Sequence, residues 1–165
     1  MVQNAKEVEL REWILKDVVR PVLRRDYPDV VPIQMRWVLT WKGEGAKARL
    51  VVRGYQVADL GTIRTASPTC SRRGRNLFLQ AAAQYECRLF KGDVRVAFLQ
   101  GDLEDGRTIL VEPSAEVAKF LDLTPDQVLL LQQAVYGLVD APRRWYLRFF
   151  SDMAKTGWRA NHLEP

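Results

Sequence analysis

Leu89-Phe90-Lys91-Gly92-Asp93-Val94-Arg95-Val96-Ala97-Phe98-Leu99-Gln100-Gly101 is the stretch on which the reading of this chain turns. Its first residues suit a short strand, which would deliver one carboxylate, Asp93, to a point where the backbone turns. The apolar run then resumes at Val96-Ala97-Phe98-Leu99. An acid at such a place has two meanings. Turns favour Asp for local hydrogen bonding, and a carboxylate is also a hard oxygen donor suited to magnesium. The surrounding sequence decides between them.

Upstream, Leu10, Trp13, Ile14, Val18 and Val22 recur at helical spacing, which predicts a helix over residues 5–25 ended or kinked at Pro21. Met35-Arg36-Trp37-Val38-Leu39-Thr40-Trp41 reads as a strand. Gly43-Glu44-Gly45 is a turn, and Lys47 to Tyr55 is a second strand, so the pair predicts a hairpin. Arg72 to Tyr85 predicts a helix with Leu77, Phe78, Ala81, Ala82 and Tyr85 facing inward. Downstream, Gly101–Gly106 is a turn. Thr108–Val111 and Val128–Leu131 are strands, the first stopped by Pro113. Asp140 as N-cap and Pro142 in the first turn open a helix from Ala141 to Lys155. This order predicts an α+β domain of antiparallel strands with packed helices.

The 165 residues suit one domain or part of a larger protein. No apolar run approaches the ~20 residues a membrane span needs, and the first residues lack a signal pattern. Both point to an intracellular protein of the cytoplasm or nucleus. Cys70, Cys87 and the single His162 are too few to close a zinc tetrahedron. The cysteines read as reduced and structural. The net charge of +5 is compatible with a polyanionic partner.

Four segments then match one family in order and spacing. Arg36-Trp37-Val38-Leu39 with Lys47–Tyr55, then Ala66-Ser67-Pro68, resemble the start of the reverse transcriptase of copia-type retrotransposons. Asp93-Val94 with Ala97-Phe98-Leu99 and Gly101 resembles its first catalytic segment. Tyr136-Gly137-Leu138, with Ala141 and Arg143-Arg144-Trp145-Tyr146, resembles its Tyr-Gly-Leu segment. The resemblance implies the fingers and part of the palm of a right-hand polymerase over residues 31–165, behind an N-terminal helical segment at 1–30. It implies an RNA or DNA template–primer and deoxynucleoside triphosphates as partners, with no membrane involved. It also implies two magnesium ions about 3.5–4 Å apart. The rest of the palm, the thumb and the RNase H region would belong to a longer polyprotein.

Carried onto this sequence, the resemblance makes Asp93 the first catalytic metal ligand, with the Val94 carbonyl beside it; the plain alternative for Asp93 is a turn cap. Phe98 matches the aromatic that excludes a 2′-hydroxyl, or else packs in the core. Lys47 and Arg49 share a strand face and correspond to contacts with the triphosphate, or are solvated charges. Arg143 and Arg144 correspond to template or primer phosphate contacts, or solvate a helix turn. Asp140 stands at the nucleotide-side position.

The sequence also departs from the family. Val139-Asp140 replaces Lys-Gln, placing an acid near phosphate, and Arg95 is a cation beside Asp93. The second catalytic segment, an aromatic-x-Asp-Asp turn, is absent, since no Asp-Asp pair occurs. The expectation is a reverse transcriptase domain of a retrotransposon polyprotein, here a fragment inactive on its own. The alternatives are a non-catalytic basic nucleic-acid-binding module and an inert remnant of a decayed element.

Overall fold

Met35, Trp37 and Leu39 alternate with Arg36, Val38 and Thr40, and a period of two makes a strand with unlike faces. In the computed structural model, which describes residues 1–43, 45–104 and 106–159, this strand is β2 (Ile33–Lys42). It pairs antiparallel with β3 (Gly45–Val52), Trp37 opposite Leu50 and Val38 opposite Arg49. The hairpin is therefore as the sequence predicts, with β3 ending three residues before Tyr55. Glu44 of its turn, Asp105 and His162 lie outside the described residues.

Three further strands complete one sheet: β1 (Val19–Leu23), β4 (Leu110–Glu112) and β5 (Gln127–Leu131). The strand order is β1-β5-β4-β2-β3. All pairings are antiparallel except β2 with β4, which run parallel. The fold is mixed, with α1 (Val2–Leu15), α2 (Arg72–Gln84), α3 (Ala115–Phe120) and α4 (Ala141–Lys155) added to the sheet. No helix among the described residues is long and apolar enough to cross a membrane.

The helix predicted over 5–25 is instead a helix followed by a strand. The chain reverses at Asp17, whose φ is +49°, and the amides of Asp17 and Val18 bond back to Ile14 and Trp13. Residues 19–23 then pair with β5. Pro21 is tolerated because β1 is an outermost strand, with one side free of ladder bonds. The strand predicted to end at Asp93 is not formed either: residues 87–94 are irregular. A strand needs a neighbour to take its backbone hydrogen bonds, and no described strand lies beside this one.

The core joins elements distant in sequence. Leu10 and Trp13 of α1, Leu50 and Val52 of β3, Leu129 and Leu131 of β5, and Leu99, Val135 and Leu138 form one cluster. Leu110, Val128 and Leu130 form a smaller one on the other face of the sheet. The predicted inner face of α2 does not reach either cluster. Ala82 is buried, but Leu77, Phe78 and Tyr85 are exposed. Cys70 and Cys87 are likewise exposed and free, so neither is a core residue.

Candidate functional site

Two amides on the outer edge of β3 have no strand to bond to. The amide of Leu50 donates to Glu9 Oε1 of α1 at 3.2 Å. That of Val52 donates to the Tyr136 carbonyl at 2.8 Å. These bonds close an otherwise open sheet edge and draw α1 and the Tyr136 segment against the hairpin. Between them, the sheet and residues 93–98 lies a cleft of about 620 Å³.

The cleft gathers residues that the sequence separates. Lys47 and Arg49 reach it from β3, Asp93, Val94 and Phe98 from the irregular segment, and Tyr136 from the loop before α4. Asp93 is exposed and has no hydrogen bond or ion pair among the described residues. Val96 holds φ +47°, rare for a β-branched residue, and this turn starts the short helical segment Ala97–Gln100. Phe98 is half-buried, packing on the core while its ring meets Tyr136 at 5.5 Å. The Arg49 guanidinium lies over the same Tyr136 ring, 5.9 Å from its centroid. Burial, and next the charge of Glu9, push the Tyr136 phenol above its ordinary value.

Glu9 was not singled out by motif. It is buried, and its Oε1 also accepts from Trp13 Nε1 at 3.3 Å. Its sequence signal was an acid four residues before Trp13, on the same face as a core aromatic. Burial raises its carboxyl pKa despite the Leu50 and Trp13 hydrogen bonds and the nearby charges of Arg49 and Lys47. A carboxyl that protonates more readily folded than unfolded contributes stability below the unfolded value, and that stability is lost as pH rises through the folded value. Glu9→Gln keeps the acceptor and removes the charge. It is expected to melt higher than the wild type at pH 7, with the gap closing below pH ~4.5. Parallel melting curves at every pH would show that Glu9 carries no such linkage.

The remaining predicted site residues lie elsewhere. Asp140 sits at the N-cap position of α4, yet its side chain does not cap the helix. It is fully buried, with Oδ2 accepting from Arg107 at 2.8 Å and from Arg144 at 2.9 Å. Arg107 continues to Asp59 at 3.1 Å and Arg144 to Glu104 at 2.5 Å. Burial works against the charge on Arg144, but Asp140 and Glu104 outweigh it and hold its pKa above the ordinary value. Arg143 donates to the Ala66 carbonyl at 3.0 Å. Asp140, Arg143 and Arg144 thus tie α4 to loops 59–66 and 104–107, outside the cleft.

A family profile described as reverse transcriptase (RNA-dependent DNA polymerase) matches residues 22–164. The chain belongs to the reverse transcriptase family. Related sequences are Retrovirus-related Pol polyproteins from plant transposons. One, from transposon TNT 1-94 of Nicotiana tabacum, is 31% identical over 81% of this chain and 10% of its own length. Those from transposons RE2 and RE1 of Arabidopsis thaliana are 34% and 33% identical over 79% and 78% of the chain, and 9% of their own lengths. The chain spans about a tenth of these relatives. It carries a reverse transcriptase domain, and these relatives are retrotransposon polyproteins. No solved structure matches it.

Members of this family generally use a divalent metal. Here no three His, Cys, Asp or Glu side chains come together among the described residues. Of the acids lining the cleft, Glu9 of α1 is buried against β3 and Glu12 pairs with Arg95 at 3.7 Å, leaving Asp93 without a partner among the described residues. One carboxylate does not fit a two-ion centre.

Proposed function

We propose that the cleft between β3 and residues 93–98 is the nucleotide-facing part of a fingers-and-palm unit. The incoming deoxynucleoside triphosphate or the template–primer backbone lies along Lys47 and Arg49. Asp93, with the Val94 carbonyl, contributes one ligand of a magnesium site whose other carboxylates the described residues do not supply. Phe98 faces the sugar and selects against a 2′-hydroxyl. The observation that carries this reading is the convergence of cationic Lys47 and Arg49 with unpartnered Asp93 in one open cleft.

Cations aimed at phosphates make binding salt-dependent, because each contact releases condensed counterions. A labelled single-stranded oligonucleotide is expected to bind with an affinity that falls as salt rises. Lys47→Ala combined with Arg49→Ala should flatten the slope of log affinity against log salt by about 1.4, from ~0.7 per contact. An unchanged slope removes both residues from phosphate binding.

A second reading, a nucleic-acid-binding module without catalysis, is favoured by the lone carboxylate. Template–primer extension in magnesium separates the two. We expect the isolated chain to bind without incorporating nucleotides, and robust incorporation overturns that expectation.

A further inference from the structure

We propose that Glu9 is a positioning residue for Arg49: by pinning the Leu50 amide it holds the β3 backbone so that the Arg49 guanidinium lies over Tyr136 at the cleft. The inference rests on the reading of that cleft as a phosphate site. The pinned amide belongs to the peptide bond immediately after Arg49. In an antiparallel pair alternate amides point away from the partner strand, so Leu50 and Val52 both face outward, with Glu9 holding one and the Tyr136 carbonyl the other. Arg49 therefore lies just before two fixed points on the same edge, and the second of them also fixes the ring beneath its guanidinium. Without the first pin the outer edge near Arg49 is held only by the ladder to β2 and by the bond at Val52. Glu9 itself is held from its own helix by the Trp13 indole, its partner four residues on, which limits the rotamers of its carboxylate. The pin thus transmits the packing of α1 to a cation in the cleft, across 41 positions of sequence.

Three variants separate geometry from charge. Glu9→Gln keeps an acceptor of the same reach. Glu9→Asp keeps the charge but is one carbon too short for the Leu50 amide. Glu9→Leu loses both. The readouts are affinity for a labelled oligonucleotide and the ring-current shift that Tyr136 imposes on the Arg49 Nε–H resonance. Glu9→Gln should resemble wild type in both. Glu9→Asp and Glu9→Leu should lose the shift and bind about tenfold more weakly, with fold integrity checked by circular dichroism. If Glu9→Leu does not fold, the Asp and Gln variants carry the comparison. An unchanged Arg49 resonance in Glu9→Asp overturns the proposal, since Glu9 then only stabilises α1. Tighter binding by Glu9→Gln with an unchanged resonance in Glu9→Asp also overturns it, marking Glu9 as a competitor of phosphate. If the wild type does not bind the oligonucleotide but the shift is lost in Glu9→Asp, the phosphate reading fails and the positioning role stands.

Discussion

Asp140→Ala is expected to destabilise the domain by about 3 kcal/mol, near the lower end of the 3–5 kcal/mol for breaking a buried ion pair. Asp140 is fully buried, and the arginines it holds are nearly so, with side chains of Arg107 and Arg144 exposed by 7% and 11%. Removing the acid leaves two cations facing each other across the space it filled. Each keeps one other acid, Asp59 or Glu104, which limits the loss. For a domain of this size ~3 kcal/mol corresponds to a melting temperature lower by about 6–12 °C. Arg148 provides the contrast. Its partners Asp102 and Asp152 are exposed, so Arg148→Ala should cost under ~1 kcal/mol. Urea titrations of both variants test this, and equal losses would refute the buried network as a structural clamp.

Gly137→Ala is the second large effect. Gly137 holds φ +99°, and an added methyl there would run into the carbonyl of Val52 and the side chain of Val51. The reciprocal contact exists as well, since a methyl on Gly54 would strike the Gly137 carbonyl and Leu138. The two backbones touch because neither residue has a side chain. The obstacle is main chain already bonded at Val52, so it cannot swing aside. Strain at the positive φ costs about 1–3 kcal/mol, and overpacking adds about 1–3 kcal/mol. The expected loss is about 3 kcal/mol or more. The same shift would displace Tyr136 and break its bond to Val52, so oligonucleotide affinity should fall together with stability. A variant that melts like the wild type would show that this approach has slack.

Local reading of the chain succeeded where local chemistry decides. β2, β3, α2 and α4 lie where alternation, helical spacing and Pro142 at a helix start place them. The family segments succeeded for the same reason, being short and contiguous. The segment at 87–94 failed as a strand because pairing is not a local property: Leu89 and Phe90 are apolar, yet Phe90 is almost wholly exposed. The 5–25 helix failed because its apolar spacing continues past a reversal at Asp17 that no residue type signals clearly. α3 has a cap signal, Ser114, whose hydroxyl accepts from the Val117 amide, but it is too short to show a period.

From its sequence alone this chain could be placed in the reverse transcriptase family and its hairpin located, because those patterns lie within a few consecutive residues. Only the tertiary structure decided the partners. It paired Asp140 with Arg107, 33 residues away, and brought Glu9 onto Leu50. It also set Gly54 against Gly137 and left one face of α2 uncovered among the described residues. Burial and ion pairing depend on what the chain brings from far along its length, and no local pattern encodes that distance.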